Sequence, residues 1–101
     1  MPLSYADTLQ VFAEEDITVA DSSIGLTLTN VLVTPPLKRV ELFVEDAQIR
    51  YRLDATAPTS SVGRILNPFD QLIIRNAGDA FGFRAIRTGS VSATIRAVYF
   101  R

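Results

Sequence analysis

The chain has 101 residues, 48% of them hydrophobic, and a formal net charge of −1, which fits one globular domain over residues 1–101 and argues against disorder. It contains no cysteine, histidine or tryptophan; this removes disulfides, thiolate nucleophiles, the usual zinc ligands and the commonest general base near pH 7, so the expectation is a non-enzyme with no catalytic residue, metal site or cofactor. With 10 basic residues against 11 acidic ones, no field draws in nucleic acid; no apolar run approaches the ~20 residues of a membrane helix, and Met1-Pro2-Leu3-Ser4 lacks signal-peptide character, so the expected site of synthesis is the cytoplasm.

From the N-terminus, Thr8 to Ala13 reads as a strand, with a short helix capped by Ser4 and Asp7 as the competing assignment. Ile17 to Ala20 is the next strand, and the acidic run Glu14-Glu15-Asp16 between them reads as a solvated turn without the spacing of a calcium loop. Asp21-Ser22-Ser23 turns the chain. Leu26 to Val33 alternates Leu and Thr with period two until Thr34-Pro35-Pro36 ends it, because proline donates no ladder bond. Lys38 to Glu45 sets Val40, Leu42 and Val44 against Glu41 and Glu45. Asp46-Ala47 predicts a hairpin into Gln48 to Leu53, where Ile49, Tyr51 and Leu53 point inward and Arg50 and Arg52 outward.

Asp54 to Ser61 is the longest polar loop. Strands at Val62 to Leu66 and Gln71 to Arg75 flank the Asn67-Pro68 turn, and Asn76-Ala77-Gly78-Asp79 turns the chain again. Phe81 to Arg87 and Val91 to Phe100, separated by Thr88-Gly89-Ser90, complete it. Gly78 and Gly82 suit a turn and a bulge rather than a phosphate loop, since no Lys-Ser/Thr follows. Seven or eight strands spaced about ten residues apart predict an all-β fold, a two-sheet antiparallel β-sandwich of jelly-roll-like type. Its expected core is Val40, Leu42, Val44, Ile49, Tyr51, Leu53, Leu72, Ile74, Phe83 and Ile95.

The runs Ile49-Arg50-Tyr51-Arg52-Leu53-Asp54, Thr56-Ala57-Pro58-Thr59, Val62-Gly63, Leu66-Asn67-Pro68, Phe83-Arg84-Ala85-Ile86-Arg87 and Ala93-Thr94-Ile95-Arg96-Ala97-Val98-Tyr99-Phe100 together resemble the small β-sandwich accessory, decoration-like virion proteins of tailed bacteriophages. The likeness spans roughly the C-terminal half and is weak over residues 1–37; Ala55 stands where that pattern has glycine. It implies a structural virion protein, a capsid decoration or cement protein that binds the major capsid protein and stabilises the head by non-covalent contacts. The alternative it leaves open is a tail-associated or glycan-binding module, with Tyr5, Tyr51 and Tyr99 as the available aromatics.

Arginine outnumbers lysine nine to one, and its planar fork suits interfaces. The candidate interface residues are therefore Arg50, Arg52, Arg84, Arg87 and Arg96, together with Pro58 and Thr59 of the polar loop and Phe100. The competing assignment for the arginines is cross-strand pairing with Glu41, Glu45, Asp54 or Asp70 on a solvated face. Val91, Val98 and Phe100, with Leu72-Ile73-Ile74, make two strands apolar on both faces. That predicts a covering element or subunit, hence a homo-oligomer (dimer or trimer) or docking to a larger virion protein, with no nucleic acid or membrane as partner.

Overall fold

The computed structural model describes residues 9–101. These residues form mostly β structure, with strands β1 (Val11–Val19), β2 (Arg39–Val44), β3 (Ile49–Arg52), β4 (Arg64–Leu66), β5 (Gln71–Ile74), β6 (Arg84–Arg87) and β7 (Ala93–Phe100). Two short helices, α1 (Leu28–Val31) and α2 (Ala77–Gly82), interrupt them. One sheet has the order β1-β7-β2-β5 and the other β4-β3-β6, with every pairing antiparallel.

Period-two alternation builds the core. On β7, Ala93, Ile95, Ala97 and Tyr99 are buried, while Arg96 between them is exposed. On β2, Val40, Leu42 and Val44 turn the same way. Ile49 and Tyr51 of β3 and Ala85 of β6 supply the second sheet's share, and the buried residues of both sheets belong to one apolar cluster. Tyr51 stacks on Phe83 at 5.9 Å between ring centroids. The expected core is buried, except that Leu53 and Leu72 are half-buried at its margin.

Several local expectations give way. Glu14-Glu15-Asp16 is not a turn: it lies inside a single strand, β1, that replaces the two expected there, and the Ser4–Asp7 helix cap lies outside the described residues. Across the ladder from β7, Glu14 and Asp16 are exposed and Glu15 turns to the other face. There the Glu15 carboxylate accepts hydrogen bonds from Thr27 Oγ1 at 2.6 Å, Asn30 Nδ2 at 3.3 Å and the hydroxyl of buried Tyr99. Thr27 and Asn30 are three apart, the spacing that brings side chains together on a helix. Thus Leu26 to Val33, whose alternation predicted a strand, instead holds α1.

The second helix also displaces a predicted turn. Asn76 caps α2 by accepting from the Asp79 backbone N–H at 2.8 Å, while its amide donates to the Asp79 carboxylate at 3.1 Å. Gly82 is no bulge: it ends α2 against the Leu53 backbone, where an added Cβ would stand 2.2 Å from the Leu53 carbonyl oxygen. The Asp46-Ala47 hairpin does not form either, because β2 and β3 belong to different sheets. Asp46 instead accepts from the Thr94 N–H at 2.8 Å, fixing the crossover to β7.

After β1 the chain likewise changes sheets. Ala20 accepts from the Arg87 N–H at 3.0 Å, and Ile24 exchanges two 2.9 Å bonds with Ala85. This stretch lines the outer edge of β6.

Candidate interaction surfaces

The arginines singled out from the sequence are largely engaged within the chain. Arg50 Nη1 donates to the Gly63 carbonyl at 2.7 Å and its Nε to the Ser60 carbonyl at 3.1 Å, so it holds the polar loop in place. Arg52 pairs with Asp54 at 3.1 Å. Arg84 donates to Ser23 Oγ at 2.8 Å, Arg87 to Ser92 Oγ at 3.4 Å, and Arg96 sits between Glu45 and Asp16. Arg39 lies 4.6 Å over the ring of half-buried Phe100. The cross-strand assignment therefore accounts for Arg96, and the others act mainly as loop and edge fasteners.

Pro58 corrects the expectation for the polar loop. It is buried, with Gly63 so close that an added Cβ there would stand 3.1 Å from Pro58 Cβ. Thr59 remains exposed and closes a tight turn with Val62 through bonds of 2.9 and 3.3 Å. Ala55 adopts φ 69°, the left-handed conformation that glycine takes most readily, and its N–H donates to the Gly82 carbonyl at 2.9 Å. Asp54 accepts from the Thr56 N–H at 3.0 Å; this bond and the Arg52 guanidinium hold its carboxyl below the usual range. An open cleft of about 510 Å³ is lined by Arg52, Asp54, Arg64 and Asp79.

Two apolar surfaces escaped the sequence. The helices α1 and α2 pack together and leave Leu28, Leu32 and Phe81 exposed. The second surface centres on Phe69, the most exposed large hydrophobic residue among those described, at 76%. It has φ 73°. Asp70 N–H bonds to the Asn67 carbonyl at 3.0 Å, which with Pro68 and Phe69 in the middle is a type II turn.

That turn position favours glycine or asparagine, not an aromatic. Four contacts fix it further: Asp70 Oδ2 accepts from Asn67 N–H at 2.8 Å, Phe69 N–H donates to Val44 O at 2.7 Å, Val44 N–H to Asp70 O at 3.0 Å, and Gln48 Nε2 to Asn67 Oδ1 at 2.8 Å. A large ring is thus held in solvent by a rigid, strained turn. The signal was present in Asn67-Pro68-Phe69-Asp70, where the residue after proline should be small. The turn leads into β5, whose exposed Ile73 stands opposite Glu41 of β2, with exposed Phe43 opposite Gln71 on the same outward face.

Among the described residues no group of three or more Asp or Glu side chains is placed to hold a metal ion, and no helix is long and apolar enough to cross a membrane. Comparison with known protein families, curated proteins and solved structures finds no match to this chain.

Proposed function

We propose that this chain is a jelly-roll β-sandwich accessory protein of a tailed-phage particle, a decoration or cement protein made in the host cytoplasm and held on the major capsid protein by non-covalent contacts, with no bond chemistry of its own. The strand pairing supports the fold part. With the Ile24 stretch counted between β1 and β2 as an eighth segment, the first segment pairs with the last, the second with the seventh, the third with the sixth and the fourth with the fifth. A double-stranded ribbon rolled in that way is the jelly roll, an architecture frequent in viral capsids and lectins.

Phe69 is the observation that carries the contact function. Backbone strain of this kind costs about 1–3 kcal/mol and persists where the surroundings impose it, commonly at functional positions. A solvent-exposed aromatic on a preorganised turn loses little conformational freedom on docking, which favours it as an anchor. The likeness of Ile49–Leu53 and Ala93–Phe100 to phage accessory proteins supplies the class of partner. A glycan-binding module loses support because Tyr51 and Tyr99 are buried; Tyr5 lies outside the described residues.

The test is co-sedimentation of the purified chain with phage heads that lack it. Saturable binding at a fixed ratio to the major capsid protein, with a higher head melting temperature, is expected from mass action. Intact heads that leave the chain in the supernatant contradict the proposal.

A further inference from the structure

Open sheet edges invite pairing with another chain, and proteins blunt them with charge, bulges, short strands or covering segments. Three of the four edges here are blunted. That of β4 is three residues long and starts at Arg64; that of β6 is lined by Ala20 and Ile24; β1 carries Glu14 and Asp16 and a bulge between Val11 and Ala13. By contrast β5, Gln71-Leu72-Ile73-Ile74, has no charge, proline or bulge.

The direction of its free groups follows from alternation. Glu45 N–H bonds to β7 and Val44 N–H toward β5, so odd-numbered residues of β2 turn their backbone groups to β7 and even-numbered ones to β5. Leu42 and Val40 stand opposite Leu72 and Ile74, which therefore bond inward. Gln71 and Ile73, and Arg75 beyond them, turn N–H and C=O to the open side, where they meet no backbone partner among the described residues.

We propose that this edge pairs with the same edge of a second copy, antiparallel about a two-fold axis through Ile73. Such an axis keeps each residue on its own face and is self-complementary. Centring on Ile73 engages all three outward-turned residues of each chain: Ile73 meets the partner's Ile73, and Gln71 meets the partner's Arg75. On the core side Leu72 meets the partner's Ile74. Centring on Leu72 would engage only Gln71 and Ile73. The chosen register sets apolar against apolar and the one cation, Arg75, against a neutral amide, so no like charges oppose at the seam. Arg75 has no ion-pair partner among the described residues. The two four-stranded sheets become one of eight strands. This pairing deepens the oligomer expected above but does not depend on attachment to a capsid.

A seam this short lies below the ~1,000 Å² of stable interfaces, so association is expected at tens of micromolar, about the range of a weak complex. Sedimentation equilibrium of the full chain reads it directly, expecting a reversible dimer. Ile73→Lys, at an exposed position, places two cations at the axis and is expected to raise the dissociation constant about 30-fold or more with unchanged circular dichroism. Because the chain has no cysteine, Ile73→Cys gives a specific second readout. Directly bonded antiparallel pairs place Cα atoms about 5.5 Å apart, within disulfide reach, so this variant is expected to oxidise to a covalent dimer.

Gln71→Cys alone is expected to form no disulfide under oxidation, and to bridge when mixed with Arg75→Cys. A chain monomeric at every concentration, or a dimer that Ile73→Lys leaves intact and Ile73→Cys does not bridge, overturns the pairing. A monomer that still sediments with heads overturns the pairing alone, whereas a dimer that ignores heads overturns only the capsid assignment.

Discussion

If Phe69 is held out for contact, removing its ring should leave the fold nearly as stable while binding falls. The Phe69→Asn variant separates these effects. Asparagine tolerates the left-handed conformation, so the substitution releases about 1–2 kcal/mol of backbone strain. Against this stands lost burial: with Phe69 76% exposed, about a quarter of the ~200 Å² of a phenylalanine is covered, and at ~25 cal/mol/Å² that is about 1.2 kcal/mol. The net change is expected within about 1 kcal/mol of zero, a shift of at most about 8 °C in Tm for a domain of this size.

Phe83 is 1% exposed, and Phe83→Ala is expected to cost about 3–5 kcal/mol. Urea unfolding followed by circular dichroism measures both. Head binding by Phe69→Asn is expected to weaken about 30-fold, the loss of one interface anchor. Destabilisation beyond about 2 kcal/mol would show that Phe69 packs as part of the fold, and unchanged head binding would show that it anchors nothing; either result refutes the reasoning.

Ala55→Gly is expected to raise stability, by up to about 1 kcal/mol, since φ 69° is free of penalty only for glycine; thermal unfolding checks it, and a lower Tm would show that the turn adapts to alanine. Gly82→Ala drives a methyl into the Leu53 carbonyl and should cost about 3 kcal/mol or more, by denaturant unfolding, because backbone on both sides must move. For Glu15, burial works against ionisation, but hydrogen bonds from Thr27, Tyr99 and Asn30 outweigh it and lower its pKa below the ordinary 4.5. A carboxylate depressed on folding contributes stability above its unfolded pKa and loses it as pH falls through the folded value. Stability should therefore drop below about pH 4.5, and Glu15→Gln should flatten that slope in unfolding curves taken from pH 7 to pH 3; an unchanged slope would place the acid sensitivity elsewhere.

Strands whose alternation is enforced by burial were legible in the sequence: Val40/Leu42/Val44, Ile49/Tyr51 and Ala93/Ile95/Ala97/Tyr99 need only period two and a core to turn toward. What escaped depended on distant partners. Nothing near Glu15 announces that Tyr99, eighty-four positions away, will take its carboxylate and draw Thr27 and Asn30 into a helical turn. Leu-Thr alternation alone points to a strand. Asn76 and Asp79 did offer a local cap signal, masked by the glycine between them.

The Asp46-Ala47 hairpin failed for a topological reason, since β2 takes both neighbours, β5 and β7, from later in the chain. The arginines were rightly placed outside the core, yet whether Arg50 faces a partner or its own Ser60 and Gly63 carbonyls is decided by loop closure, which composition does not encode. Phe69 was missed for the opposite reason: its signal is local, a large residue after Asn67-Pro68 where a type II turn favours glycine, yet it looked like one more apolar residue.

The most direct test of the central claim is a photo-crosslinking phenylalanine analogue at position 69, irradiated on assembled particles. The account predicts one crosslinked species, identified by mass spectrometry as this chain joined to the major capsid protein. Particles that carry the chain but crosslink it only to a tail component, or to nothing at all, would contradict it.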